Sequence, residues 1–407
     1  MNIDFKKYGL LFSLLASVNL MPCVLADILR SPLPVLENNF VVPKVDAKAY
    51  VLVDQASHQI LVENGAHQRL EPASLTKMLT VYITEQEIRK GRLKLEDEVT
   101  VSEHAWKATG SRMFIQVGTK VKVGDLLKGA IIQSGNDASI ALAEAVAGSE
   151  EAFAGLMNQT AQEIGMVNSH FVNATGLPDP NHYTTPYDMA LLSSRIIEDT
   201  PETYPLYSEK WFTYNGIKQP NRNRLLWQDN TVDGIKTGHT DNAGYCLVAS
   251  AKRNNMRLIA VVMGTPSENA RAEQTQKLLA HGFRFYESHK VYDANKPLEE
   301  QRVWMGEKET VGLGLKSPLF IAIPSGRYDQ LSASVTLRDL LTAPTTEGKI
   351  YGKVTIKLDD KVVAEEDLIA LETIEEGSIW QRVKDYVALS YYKMFPSDEA
   401  NEQDEDA

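Results

Sequence analysis

Ser74 and Lys77 stand three residues apart in Glu71-Pro72-Ala73-Ser74-Leu75-Thr76-Lys77-Met78-Leu79-Thr80. On a helix, positions i and i+3 share a face, so the hydroxyl can meet the amine. A serine hydroxyl is a weak nucleophile until a base takes its proton, and a lysine can take it only when neutral. A free lysine has a pKa near ~10.4, so burial and a second positive charge must lower it. Pro72 suits a helix start, where the first N–H groups have no helical acceptor. Those N–H groups can stabilise negative charge developing beside the nucleophile. The motif alone is weak. At average residue usage Ser-x-x-Lys arises by chance roughly once or twice in such a chain, and it recurs at Ser390-Tyr391-Tyr392-Lys393. In isolation an ordinary helix-start serine is the better reading of Ser74.

Two further groups change the weighting. Ile132-Gln133-Ser134-Gly135-Asn136-Asp137 supplies a second hydroxyl, able to relay a proton to a leaving amine, and the Asn136 amide, able to hold a substrate amide. Ser-x-Asn is common and recurs at Ser267-Glu268-Asn269. Val232-Asp233-Gly234-Ile235-Lys236-Thr237-Gly238-His239-Thr240 adds a second lysine, which can supply the charge that lowers Lys77. Lys-Thr-Gly is rarer, expected well below ~1 per chain. It reads as a strand beside Ser74, where an extended peptide can pair and Gly238 permits close approach. Thr237 and cationic Lys236 favour a substrate ending in a carboxylate. His239 and Asp241 suggest a Ser–His–Asp triad, but Ser74 already has Lys77 at helical spacing. No His-Glu-x-x-His or clustered Cys/His pattern occurs, so neither a metal nor another cofactor is implied.

Together and in this order, the three motifs are the signature of penicillin-binding proteins and class A β-lactamases. Pro72-Ala73-Ser74-Leu75-Thr76-Lys77 and Asp233-Gly234-Ile235-Lys236-Thr237-Gly238-His239-Thr240 resemble the low-molecular-mass D-alanyl-D-alanine carboxypeptidases. The resemblance covers nearly the whole chain. It implies an α+β fold of the β-lactamase/transpeptidase type, with an antiparallel sheet and a helical subdomain, then a small all-β domain and an amphipathic helix. It implies removal of the terminal D-alanine from peptidoglycan stem peptides through an acyl-enzyme on Ser74, with β-lactams as covalent inhibitors. It implies an oxyanion hole from the backbone N–H groups of Ser74 and His239, and a terminal carboxylate on Arg271. Arg222 is a weaker candidate for that carboxylate, its alternative being a surface arginine. A β-lactamase would need a glutamate to activate the deacylating water, and Glu163 lies in the right region but in a helix-like run. Endopeptidase or transpeptidase action uses the same motifs. A non-catalytic envelope scaffold would tolerate loss of Ser74, Lys77, Ser134, Asn136 and Lys236, all of which are intact.

These groups must be positioned by elements distant in sequence. Ala49 to Asp54 and Gln59 to Glu63 read as a strand hairpin, Thr76 to about Asp199 as mostly helical, and Gly176 to Asn181 as a loop. Tyr245–Ala251 and Arg257–Met263 read as strands turned at Asn254-Asn255, with a closing helix from Arg271 to Tyr286. Strands at both ends with helices between predict a sheet assembled from distant segments. Residues 331–337 and 354–358 alternate with period two, as in a small all-β domain. The division is residues 1–26 as a signal peptide, 27–290 as the peptidase domain, 291–377 as the β domain, 378–396 as a helix and 397–407 as an acidic tail.

With 407 residues, 43% hydrophobic and 24% charged, the chain has ample core for two or three domains. A net charge of −12 argues against a nucleic-acid partner, since phosphate contacts need clustered cations. Lys6 and Lys7 precede an apolar run from Leu10 to Leu25, and Val24-Leu25-Ala26 offers a cleavage site. Export would leave Cys246 as the one cysteine, in an apolar run that suits a buried, inert thiol. In the last helix Trp380, Val383, Val387, Tyr391 and Met394 share one face, with Arg382, Asp385 and Lys393 opposite. That pattern fits a helix lying in the inner-membrane surface, placing the protein peripherally on the periplasmic face. Packing on its own β domain, or pairing in a homodimer, fits equally, and the acidic tail counts against anionic lipid.

Overall fold

The computed structural model describes residues 40–394. The signal peptide and the acidic tail expected from the sequence lie outside the described residues. A five-stranded antiparallel sheet organises the first two-thirds, in the order Ile60–Asn64, Ala49–Asp54, Met256–Thr265, Gly244–Arg253, Val232–Thr240. The first hairpin therefore sits beside strands some two hundred residues downstream, with Ala49 facing Met263 and Asp54 facing Leu258. The Lys-Thr-Gly strand forms one edge of the sheet.

Both faces of the sheet are covered, and period two decides what covers them. Val51, Val53, Ile259 and Val261 share a core with Leu79 and Met189, which lie on the helices Lys77–Arg89 and Pro186–Asp199. Their neighbours Tyr50, Leu52, Leu258 and Ala260 pack against Leu278 and Leu279 of the closing helix, Glu268–Phe285. That helix starts three residues before Arg271 because Ser267 caps it, its hydroxyl accepting from the Ala270 N–H at 3.1 Å. The Met256 strand follows a turn in which Asn254 has φ +52°, as a tight hairpin requires. Helices Asn136–Ala147 and Glu150–Glu163 complete the helical subdomain.

From Tyr286 the chain is all β. Tyr286–Tyr292 pairs with Leu319–Pro324, beside a six-stranded sheet that includes Leu331–Leu337, Ile350–Leu358 and Lys361–Ala370. Buried Gln59 ties the two parts together, donating to the Val363 carbonyl at 2.8 Å and accepting from the Ala322 N–H at 2.5 Å.

The helix Ile379–Met394 follows, docked by the side that carries Asp385. Asp385 is buried, accepting from the Met305 N–H at 2.8 Å with Arg302 at 3.7 Å. Leu389 is buried one turn on, while Trp380, Val383, Tyr386, Val387 and Tyr391 remain exposed. Among the described residues no helix is long and apolar enough to cross a membrane.

Candidate active site

Ser74 lies in a 3-10 turn, Ala73–Thr76, that runs directly into the helix Lys77–Arg89. The amine of Lys77 donates to the Ser74 hydroxyl at 3.1 Å. Its second acceptor is the Thr175 carbonyl at 2.5 Å, a contact that fixes the amine under the serine. Lys77 is fully buried whereas Ser74 above it is partly exposed. Burial is the largest influence on Lys77, followed by the Arg222 charge, and together they bring its pKa down to about 7. The sequence expected that charge from Lys236; the two buried amines do repel each other, and Arg222 adds a further positive charge. Lys236 is lowered well below its ordinary value, first by burial and then by Lys77 itself.

The loop delivering Thr175 is moulded to the serine turn. Gly176 has φ +82°, and a Cβ there would sit 1.8 Å from the Ala73 carbonyl oxygen. Only glycine allows that approach. Asn173 holds the loop from inside, its side-chain oxygen accepting from the Thr175 and Gly176 N–H groups. His182 braces the turn: its Nδ1 accepts from the Val172 N–H, so its Nε2 carries the proton given to Thr76 Oγ1 at 2.8 Å. Burial holds that imidazole neutral, with a pKa near about 4.

Backbone conformation marks both hydroxyl motifs. Ala73, just before Ser74, has φ +48°, and Ser134 has φ +65°. Non-glycine residues adopt that region rarely, and such strain concentrates at functional sites. Ser134 ends a single π turn, Gly129–Gln133, that precedes the helix beginning at Asn136. Asp137 locks the loop that faces it, accepting from the N–H groups of Met113 and Phe114 at 2.9 and 2.8 Å. Asn136 is buried, with its amide donating to the Thr109 carbonyl at 2.6 Å.

The third group completes the cleft. Lys236 reaches Ser134 Oγ at 2.8 Å and its neighbour's carbonyl, Thr237 O, at 3.0 Å. A Cβ on Gly238 would stand 3.0 Å from the Pro72 carbonyl, so glycine lets the edge strand press against the serine turn. An edge strand leaves one row of N–H and C=O groups unpaired, ready for an extended peptide. His239 turns its ring onto Tyr245, centroids 4.0 Å apart, leaving its backbone to the cleft. No Ser–His–Asp triad is built. Arg271 donates to the carbonyls of Gly238 and Arg222 at 3.4 Å each and pairs with Glu268 at 3.3 Å. Ser74, Ser134, Thr237, Gly238, Arg222 and Arg271 line one cavity of about 630 Å³.

Ser74, Lys77, Ser134, Asn136, Lys236, Thr237, Gly238, His239, Arg271 and Arg222 are all in or directly beneath this cleft. Glu163 is not: it is exposed at the end of its helix, bonded to Gln159, and lines a separate hollow with Tyr82 and Arg195. The second Ser-x-x-Lys lies in the C-terminal helix, where Ser390 bonds the Tyr386 carbonyl. The second Ser-x-Asn merely caps the closing helix. Cys246 is buried, its thiol pushed up to about 11 by burial. Among the described residues no His, Cys, Asp and Glu cluster could hold a metal.

Sequence reasoning missed the wall formed by residues 217–227. Trp211–Tyr214 and Ile217–Pro220 form a hairpin, and Gln219, Arg224 and Trp227 beyond its turn line the cavity. The signal was Asn215-Gly216, a hairpin dipeptide whose residues have φ +45° and +77°. The Thr175 carbonyl had no signal, since any residue carries one.

Comparison with known proteins agrees with this geometry. Residues 37–267 match the family model described as D-alanyl-D-alanine carboxypeptidase, and residues 286–376 match the C-terminal domain of penicillin-binding protein 5. The D-alanyl-D-alanine carboxypeptidase DacC of Escherichia coli is 46% identical over 364 residues, covering 87% of this chain and 91% of that protein. DacA of Haemophilus influenzae is 44% identical over 359 residues, covering 87% and 91%. The crystal structure of penicillin binding protein 5 from Haemophilus influenzae superposes with a TM-score of 0.81 at 44% identity, covering 83% of this chain and all of that one. A Listeria monocytogenes penicillin-binding protein in its ampicillin-bound form matches 60% of this chain and all of its own, at 28% identity and a TM-score of 0.56. A serine turn, a Ser-x-Asn loop and a Lys-Thr-Gly edge strand meeting in one cleft, inside a match that continues through the β domain, mean that this chain belongs to the D-alanyl-D-alanine carboxypeptidase family.

Proposed function

We propose that the chain is an exported serine D-Ala-D-Ala carboxypeptidase that trims peptidoglycan stem peptides on the periplasmic face of the inner membrane. The observation that carries this reading is the Lys77 amine, fully buried and 3.1 Å from the Ser74 hydroxyl. In its neutral form Lys77 takes the Ser74 proton as the hydroxyl oxygen attacks the penultimate D-alanine carbonyl. The oxyanion is received by the Ser74 N–H, at the start of its turn, and by the His239 N–H on the edge strand. Ser134, coupled to Lys236, passes a proton to the departing amine, and D-alanine leaves. Thr237, Lys236, Arg271 and Arg222 receive its carboxylate, while Asn136 holds the peptide amide. Water then cleaves the acyl ester and restores Ser74.

A β-lactam carries the same carboxylate beside a strained amide, so it acylates Ser74 by the same route. Its adduct should persist, because the one carboxylate lining the cavity among the described residues, Glu268, is held by Arg224 and Arg271. That observation weighs against the β-lactamase reading. The exposed stripe of Trp380, Val383, Tyr386, Val387 and Tyr391 supports peripheral membrane attachment. The test is intact-protein mass after benzylpenicillin, followed over time, with Ser74→Ala alongside. A slowly cleared adduct absent from the mutant, with D-alanine released from pentapeptide, supports the reading. Adduct in Ser74→Ala removes it, and rapid turnover to penicilloate replaces it with a β-lactamase.

A further inference from the structure

Thr175 holds the Lys77 amine through its carbonyl, so whatever seats the loop before Gly176 also seats the base. Side chains from three places do this. Asn173 works from inside the loop, accepting from the Thr175 and Gly176 N–H groups. Thr80, one turn beyond Lys77 on the same helix, donates its hydroxyl to the Ala174 carbonyl at 2.8 Å. Glu150, first residue of the helix Glu150–Glu163, accepts from the Ala174 N–H at 2.9 Å through Oε1. Ala174 is fully buried, so its N–H has no water to turn to.

Glu150 is the one charged group of these three. Its other oxygen, Oε2, takes the His104 Nε2 proton at 2.8 Å, from the short helix Glu103–Trp106. A carboxylate can only accept, so both of its oxygens are engaged and the side chain is held in one orientation. Only 14% of that side chain meets solvent. An acid in the first turn ordinarily serves the helix dipole, and the next residue, Glu151, is exposed as such an acid is. Glu150 instead joins its own helix to the Thr175 loop and to His104. Its charge also reaches the base. Burial and then Arg222 lower Lys77, whereas Asp137 and Glu150 act in the opposite sense. Lys236 is the second amine buried beside Lys77. Asp137 also ties down the Met113–Phe114 loop, so altering it disturbs more than charge. Glu150 is separable, because glutamine keeps an acceptor oxygen and loses only the charge.

We infer that Glu150 is a positioning residue for acylation, seating the Thr175 carbonyl beneath Lys77 and, through its negative charge, setting the pH at which the site works. Glu150 touches no substrate. Its hydrogen bond to Ala174 fixes where the Lys77 amine sits, and its charge favours the protonated amine, which cannot take the Ser74 proton. The titratable groups facing Glu150 are His104 from the short helix and Lys77 across the loop; Glu151 on its own helix is exposed. Removing the charge alone therefore lets Lys77 become neutral at lower pH. Removing the whole side chain also frees the loop. This inference rests on the reading of Lys77 as the base given above.

The experiment follows benzylpenicillin acylation by adduct mass, from about pH 5.5 to 8.5, in the unaltered protein and in Glu150→Gln, Glu150→Ala and His104→Gln. In Glu150→Gln the midpoint of the profile should fall by about half a pH unit, which is roughly threefold faster acylation at pH 6. The plateau at high pH should stay within about twofold, because the Ala174 N–H keeps its acceptor. Glu150→Ala should show the same shift with a plateau about tenfold lower, since that N–H is then buried without a partner. A midpoint that does not move in Glu150→Gln overturns the inference, and this variant decides alone where Glu150→Ala fails to fold. Equal plateau losses in both variants also overturn it, since Glu150 would then serve only the scaffold. A shift in His104→Gln that is absent from Glu150→Gln assigns the pH setting to the imidazole and overturns it as well. A flat profile in the unaltered protein overturns the reading of Lys77 as the base, and the inference with it.

Discussion

Lys77 sets the pH behaviour of the site. Its pKa, brought to about 7 by burial first and by the Arg222 charge second, means that the amine is largely protonated at pH 6 and largely neutral at pH 8. Acylation by benzylpenicillin should therefore rise close to tenfold per unit below about pH 7 and level off above it. A flat profile from pH 5.5 to 8.5 would show that Lys77 is not the base. The same shift has a stability consequence. The folded state binds fewer protons at Lys77 than the unfolded chain between about pH 7 and ~10.4, so this group makes the fold more stable as pH rises through that window. Below the window it costs on the order of 5 kcal/mol, by the usual ~1.4 kcal/mol per unit. Lys77→Met should abolish acylation and flatten the rise in stability between pH 7 and 9, read from urea midpoints. At this scale the sequence was legible where chemistry depends on side-chain type: Ser74, Ser134, Asn136 and Lys236 could be found by motif. Thr175 could not, because it acts through its carbonyl, and Arg222 could not be ranked, because its weight comes from its place in the fold.

The elements that place these groups were readable as strands from short apolar runs between turn signals. Ala49–Asp54 and Met256–Thr265 are near-continuous apolar runs because their successive side chains enter two different cores, so the sequence shows the strands but not which core each residue joins. The loop around Gly176 was readable as a loop, but its task of carrying Thr175 beneath Ser74 depends on contacts 98 residues apart. Gly176→Ala tests that task. The substitution needs a Cβ 1.8 Å from the Ala73 carbonyl at φ +82°, so the loop must withdraw from the serine turn. The expected cost is about 1–3 kcal/mol of stability, a Tm lower by several degrees, and acylation slowed at least ~100-fold as Lys77 loses its anchor. Acylation at the normal rate in folded Gly176→Ala would show that the Thr175 contact does not position the base. Thr76→Val, which removes the His182 contact without adding volume, should give a smaller loss in the same direction.

The whole molecule is arranged around a β domain that presents a helix with its polar side inward. A soluble domain ordinarily buries the apolar stripe of such a helix. Instead the Met305 N–H, 80 residues away, draws Asp385 into the β domain. Sequence periodicity reports that a helix has two faces but not which face the rest of the chain claims. On the proposed membrane attachment, the outward stripe is the face that meets lipid. Burying an aromatic or branched side chain contributes about 1.5–3 kcal/mol when complete, so several in a membrane interface suffice for reversible attachment. Two variants separate docking from attachment. Val383→Glu with Val387→Glu should abolish co-sedimentation with phospholipid vesicles while D-alanine release from soluble peptide stays within about twofold, since the helix packs on the β domain and lines no part of the cleft. Asp385→Ala should leave vesicle binding in place but loosen the helix from the β domain, seen as faster amide exchange across Ile379–Leu389. Unchanged sedimentation of the double variant would exclude the stripe as the anchor. Loss of binding in Asp385→Ala alone would mean that the β domain must hold the helix rigidly for the stripe to reach lipid.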